Sequence, residues 1–326
     1  MKKVLIAILL LGLLPHASAD YIHWVDFRLS APVLRSALEL DMASQGGEQP
    51  LDWIDILALA AAWRGGTGVT VADTQRAAQV LRGDTPPERL PGMAGRCFSY
   101  YRAAYGAALG GLVGHFAIRR TDPQTGEAEW IPAYGLKAFS PIAAGYPWLH
   151  YPDFGAQRSY GYARPHLGND ILGALGTPIC AVEGGTVEAL GWNRYGGWRI
   201  GIRSDDRKRY YYYAHLRKDT PYVEGLAIGQ RVQAGDVIGF MGRTGYSAQE
   251  NVNNIETVHL HFGLQLIFDE SQKECDSEIW IDVYPIIELL ASHCSSVARD
   301  PQTGRWERLY PYCDLDAEPL RSAAAR

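Results

Sequence analysis

Five residues in the second half of the chain have types and spacings that could do chemistry. His166-Leu-Gly-Asn-Asp170 sets an imidazole and a carboxylate four positions apart, a pairing that alone recurs by chance. His259-Leu-His261 is more informative. Side chains alternate along a strand, so His259, His261 and Gln265 would share one face while Val258, Leu260, Phe262 and Leu264 turn to a core. Two imidazoles on the polar face of one strand can ligate a metal or stand beside one. His215 sits in Tyr210-Tyr-Tyr-Tyr-Ala-His-Leu216, where the same alternation groups it with Tyr211 and Tyr213. Any one of these histidines alone reads as an ordinary satisfied side chain; together in one segment they read as a site. Two imidazoles and one carboxylate would leave the fourth position of a tetrahedral zinc ion open to water, as a catalytic site requires. Such water ionises near neutral pH and attacks an amide carbonyl, and neutral histidines beside it can move the proton. A thiolate zinc site has no support, because the chain has no Cys-x-x-Cys pair. His23, His115, His150 and His293 have no partners in the sequence and read as structural.

The elements that would position these groups point to an α+β chain, with a helical N-terminal region followed by a β-rich catalytic domain of antiparallel strands. Between Gly161 and Gly263 there are 17 glycines in 103 residues, separating short apolar, β-branched or aromatic runs. Those runs predict strands over Val182–Leu190, Trp198–Arg203, Tyr210–Leu216, Val237–Met241 and Val258–Leu266. Residues 20–118 form the helical N-terminal domain. Its expected helices are Asp52–Trp63, stopped by Gly65-Gly66, then Thr70–Leu81 and Cys97–Val113. Residues 119–150 form an extended linker, residues 151–290 the catalytic domain ending in a helix over Val283–Leu290, and residues 291–326 a polar tail. Asp122-Pro-Gln-Thr-Gly126 and Asp300-Pro-Gln-Thr-Gly304 are matching turn signals between extended segments.

Composition narrows the function. At 326 residues, 47% hydrophobic and 21% charged, the chain is long enough for two domains and too apolar to be disordered. The net charge of −5, with nothing basic and concentrated beyond short runs such as Arg207-Lys-Arg209, argues against nucleic-acid binding, which needs a basic face. Residues 1–19 read as a signal peptide: Lys2-Lys3, an apolar run from Val4 to Leu14, Pro15, then Ala17-Ser-Ala19. Their removal takes away two lysines and no acid, moving the net charge from −5 to −7. The apolar run is too short to cross a hydrocarbon core of about 30 Å as a helix, and no later stretch is long enough. An extracytoplasmic protein with no stable membrane span follows. Five cysteines leave at least one thiol outside any bridge. Cys180, inside Thr177-Pro-Ile-Cys-Ala-Val182, reads as a small buried hydrophobe, and Cys294–Cys313 as a bridge stapling the tail.

His166-x-x-x-Asp170, Tyr213-Ala-His215-Leu and His259-Leu-His261-Phe together resemble the motifs of the lysostaphin-type (LytM-type) zinc endopeptidases. Gly185-Thr-Val187, Val232 followed by Ala234-Gly-Asp-Val-Ile-Gly239, and Gly242-Arg-Thr-Gly245 are similar to their β scaffold, so the resemblance spans about residues 160–268. It implies that His166, Asp170 and His261 bind Zn2+, that His215 and His259 are the catalytic pair, and that the substrate is peptidoglycan peptide. One departure stands out: the short loop usual before His-x-His is replaced by a long polar one, Tyr246–Thr257, bordering the cleft. Two other readings remain open. Gly185-Thr-Val187 and the Val232–Ile238 pattern are also similar to biotinyl or lipoyl carrier domains, with Lys208 as the modified residue, although Arg207 and Arg209 flank it. A non-catalytic cell-wall-binding or amidase-activating module is the other, although such relatives typically lose the metal ligands, which this chain keeps.

Overall fold

The computed structural model describes residues 21–273, 275 and 277–317, so the signal peptide expected over 1–19 lies outside the described residues. Four helices come first: α1 (Ala31–Ser44), α2 (Trp53–Arg64), α3 (Val71–Leu81) and α4 (Met93–Leu109). Asp52 caps α2 by accepting from the Ile54 amide at 2.7 Å, and Gly65 ends it at φ +64°. α2 is apolar on nearly every face and buried along most of its length, which makes it the central rod of the helical layer. Thr70 and Asp73 form a reciprocal capping box at the start of α3. α1 was not among the expected helices, yet Val33, Leu34, Ala37 and Leu38 form its buried stripe at helical spacing. α4 begins four residues before the expected Cys97 and stops at Leu109, not Val113. Gly110-Gly111 interrupts it, and β-branched Val113 opens a strand.

The strands are β1 (Val113–Thr121), β2 (Ala128–Leu136), β3 (Trp148–His150), β4 (Gln157–Arg158), β5 (Arg164–Pro165), β6 (Asn169–Gly173) and β7 (Pro178–Cys180). They continue with β8 (Gly185–Asn193), β9 (Gly197–Ser204), β10 (Arg209–Ala214), β11 (Arg231–Val232), β12 (Val237–Phe240), β13 (His259–Leu266) and β14 (Ile279–Trp280). Helix α5 (Tyr284–Leu290) follows, then β15 (Val297–Arg299), β16 (Trp306–Arg308) and β17 (Tyr312–Asp314). All five expected strands in the glycine-rich segment are present, shifted by a few residues at their ends. The main antiparallel sheet runs β11-β8-β9-β10-β13-β6-β3, with β14 also pairing β13. A second sheet, β17-β1-β2, joins chain segments far apart: Ala117 of β1 lies opposite Cys313. Residues 113–118, read as helical, and 312–314, read as tail, are therefore paired strands. Both Asp-Pro-Gln-Thr-Gly segments form hairpin turns. Asp122 Oδ1 accepts from the Gln124 amide at 2.7 Å and Asp300 Oδ1 from Gln302 at 2.6 Å, with Gly126 and Gly304 at φ +74° and +73°. Cys180 is buried, and burial pushes its thiol up to about 12. Cys294 carries a free thiol beside the Ala291 carbonyl, so the expected Cys294–Cys313 staple is not formed.

The main sheet has two different faces. Tyr211, Tyr213, Leu260, Phe262 and Leu264 turn into a core shared with the N-terminal helices. Arg209 locks the two layers together. Its guanidinium donates to the Ala107 carbonyl at the end of α4 (2.8 Å) and pairs with Glu183 at 2.7 and 3.0 Å. Tyr211 donates a third bond to the same carboxylate at 2.6 Å. Glu183→Ala would leave Arg209 only the more exposed Asp206 carboxylate at 2.9 Å and strip Tyr211 of its acceptor, so it should cost about 1–3 kcal/mol in urea unfolding. A loss under about 1 kcal/mol would show that this network does not join the layers.

Candidate active site

The other face of the sheet carries the five residues. β6 and β13 pair so that Asp170 lies directly opposite His261, while His259 lies opposite Leu172. His166, just before β6, closes the group. His166 Nε2 is 2.7 Å from His261 Nδ1, and Asp170 Oδ1 is 3.0 and 3.2 Å from those nitrogens. One donor atom from each of His166, Asp170 and His261 lies within 4.8 Å of the others. Two imidazole nitrogens facing each other beside a carboxylate make a donor set suited to a divalent cation. Gly168 permits this closeness: a Cβ there would stand 2.7 Å from the His261 ring.

The second pair of histidines stands alongside. The rings of His215 and His259 lie 4.7 Å apart, and His215 is 5.9 Å from His261. His215 Nδ1 meets the Thr244 carbonyl at 2.9 Å and His259 Nδ1 meets the Thr257 carbonyl at 2.9 Å. A carbonyl accepts only from an N–H, so both rings carry a proton on Nδ1 and keep Nε2 as an acceptor. Burial and the neighbouring His259 and His261 push His215 well below the usual histidine range, so it is neutral at pH 7.

Simple alternation misplaces His215. Tyr211 and Tyr213 are in the core against Phe262, the first stacked and the second tilted, whereas Tyr212 stands beside His261 on the cleft face, ring centroids 5.8 Å apart. His215 adopts φ +61°, one residue past the end of β10, and this left-handed turn brings its ring to the cleft side. A non-glycine residue held there costs of order 1 kcal/mol, offset by the His215 amide bond to Gly196 at 2.7 Å. The long loop borders the cleft as expected. Tyr246 stacks on Tyr160 at 4.6 Å and stands 5.8 Å from the His215 ring.

Residues 164–274 match the model of peptidase family M23. The chain carries an M23 peptidase domain. Its relatives include the L-Ala–D-Glu endopeptidase of Bacillus subtilis strain 168, 41% identical over 34% of this chain and 32% of the relative. The glycyl-glycine endopeptidase ALE-1 of Staphylococcus capitis is 37% identical over 30% of this chain and 24% of its own. This chain thus spans about a third and a quarter of those two relatives. Among solved structures, the catalytic domain of lysostaphin from Staphylococcus simulans is 28% identical, covering 44% of this chain and 92% of its own, with a TM-score of 0.32.

All five site residues lie inside the M23 domain, but two residues that hold them precede its matched segment. His166 Nδ1 lies 3.2 Å from Asp153 Oδ2 and 3.1 Å from the Asp153 carbonyl, acceptors that keep its proton on Nδ1 and leave Nε2 for the site. Arg158 bridges Asp153 and Asp170 at 3.0 and 2.8 Å. The Asp153 and Asp170 carboxylates raise His166 to about 9 despite its burial. Asp170 is itself held low, against its burial, by His166 and His261. The sequence offers no spacing signal for Asp153 or Arg158, because both are placed by the turn between β3 and β6 and by the β4–β5 hairpin. Asp153→Asn should lower metal affinity about 10–100-fold with the fold retained, as read by competition with a chelator. Unchanged affinity would reduce Asp153 to a structural role.

Proposed function

We propose that the mature chain is an exported zinc metalloendopeptidase that hydrolyses peptide bonds in bacterial peptidoglycan. The observation that carries this reading is the convergence of His166, Asp170 and His261 on one point with His215 and His259 beside it. His166 Nε2, His261 Nδ1 and an Asp170 oxygen would hold the zinc. When bound, zinc supplies Lewis acidity that polarises the peptide carbonyl and makes a water molecule nucleophilic near pH 7. The protein does the rest. His215 and His259, each fixed through Nδ1 by a backbone carbonyl, present Nε2 as a base for the proton of the attacking water. Once protonated, the same ring can donate to the developing oxyanion or to the leaving amine. Asp153 and Arg158 hold His166 and Asp170 in place. The presence of all five groups supports hydrolysis over a purely wall-binding role. The direct experiment is digestion of intact peptidoglycan, with released peptides identified by mass; new peptide termini support the proposal, and an undigested sacculus overturns it.

Export rests on residues 1–19, and among the described residues no helix is long and apolar enough to cross a membrane. The mature N-terminus is expected at Asp20. Sequencing the secreted protein checks this, and retention of Met1 would contradict it.

A further inference from the structure

The cleft beside the five residues is lined by several cations, and all but one have partners within the protein. Arg158 is taken up by Asp153 and Asp170, and Lys273 by Glu188. Arg164 has no paired carboxylate among the described residues either, but it donates to the Tyr160 carbonyl at 2.7 Å and lies over the Tyr195 ring at 4.7 Å. Arg199 differs. Its Nε is buried with no hydrogen-bond partner, and among the described residues no carboxylate pairs with its guanidinium. Glu278, an acid lining the same cleft, accepts instead from the Trp280 indole at 2.7 Å.

The sheet register places Arg199 level with the site. Ala214 on β10 is opposite His261 on β13, and Tyr213 is opposite Ile200 on β9, so Arg199 continues the His261–Ala214 line by one strand. Residues paired directly across a sheet share a face, so Arg199 rises on the face of His261. Two strand spacings put it roughly 10 Å away. Ala214 between them ends at Cβ, and on its other side Arg199 pairs with Gly191. Tyr212, the neighbouring residue on this face of β10, stands beside the line, its ring 5.8 Å from His261 and its hydroxyl accepting from Asn193 at 3.1 Å. A part-buried guanidinium without a counter-charge costs free energy that a bound anion recovers, and its planar fork fits a carboxylate.

We propose that Arg199 is a specificity-determining residue that binds a free carboxylate of the substrate peptide, about three residues from the bond that is cut. The distance follows from roughly 3.3 Å per residue of extended peptide. This proposal rests on the peptide-hydrolase reading above.

The test is binding, kept apart from cleavage by using the zinc-loaded full mature chain with His215→Ala. Its ligands are a synthetic peptidoglycan stem pentapeptide in three forms: all carboxylates amidated, only the glutamyl carboxylate free, and only the C-terminal carboxylate free. One monocarboxylate is expected to bind at least about tenfold more tightly than the amidated form, the size of one charge-assisted hydrogen bond. Adding Arg199→Gln should abolish that gap, and Arg199→Lys should restore part of it. Equal binding of all three forms overturns the proposal. So does a gap that survives Arg199→Gln, since the carboxylate would then be held elsewhere. If Arg199→Gln fails to fold, Arg199→Lys and the three-peptide comparison still decide. Cleavage of the same peptides by the wild-type chain is scored separately: a binding gap without cleavage overturns the hydrolase reading and leaves the Arg199 site standing.

Discussion

Asp170→Ala is expected to leave a folded protein that no longer retains zinc and does not release peptides from peptidoglycan. Asp170 is the single carboxylate of the donor set, directly opposite His261 and 3.0 Å from His166 Nε2. Without it, two imidazole nitrogens 2.7 Å apart remain, and neither supplies the negative charge that favours a divalent cation. Because residues beyond the ligand set cost about 10–100-fold in metal affinity, loss of a ligand should exceed that range. The site lies on the open face of the sheet, away from the shared core, so the melting temperature of the metal-free variant should stay close to that of the metal-free wild type. Arg158 keeps Asp153 as its partner at 3.0 Å, which prevents a newly unpaired charge. Zinc content by mass spectrometry reads the outcome; normal stoichiometry in Asp170→Ala would remove Asp170 from the ligand set.

His215→Ala and His259→Ala should behave in the opposite way, keeping zinc and losing turnover by roughly 10²–10⁴-fold, the usual worth of a positioned acid–base group. The bonds from each Nδ1 to Thr244 and Thr257 fix which nitrogen faces the cleft, so an alanine removes an oriented base rather than a loose ring. Burial and the adjacent histidines keep His215 neutral well below the ordinary histidine pKa of about 6.5. A base with a lowered pKa remains unprotonated as pH falls through that ordinary value. Insofar as His215 sets the acid limb of the kcat/KM profile, that limb should fall below pH 6.5 or so. Zinc and turnover must be measured on the same sample: metal retained with near-normal activity ends the proton-transfer role, and metal lost moves the residue into the ligand set.

Much of the main sheet was legible because its signals are local. His259-Leu-His261 alternates along β13 as the period of two requires, and the strand's apolar residues are buried as expected. Asp52, Thr70 and Gly65 likewise mark helix ends by their own chemistry. The failures share a cause, dependence on contacts distant in sequence. β17 is a strand only because it pairs with β1, about 200 positions earlier, and its three residues are too few to carry a strand signal within a polar segment. His215 escapes alternation because one left-handed residue reverses the side of the sheet it serves. Asp153 and Arg158 acquire their roles from the turn and hairpin that bring them to His166, and Arg199 from its place in the sheet register.

Hydrolysis of peptidoglycan peptides by this constellation through bound zinc can be read in one digestion followed for peptides and metal together. Purified mature protein is incubated with intact peptidoglycan as isolated, after removal of metal by a chelator, and after one equivalent of zinc is returned. Peptides with new termini are expected in the first and third samples, none in the second, and about one zinc per chain wherever cleavage occurs. Peptides released equally by the metal-free protein, or none released by protein carrying one zinc, would contradict this.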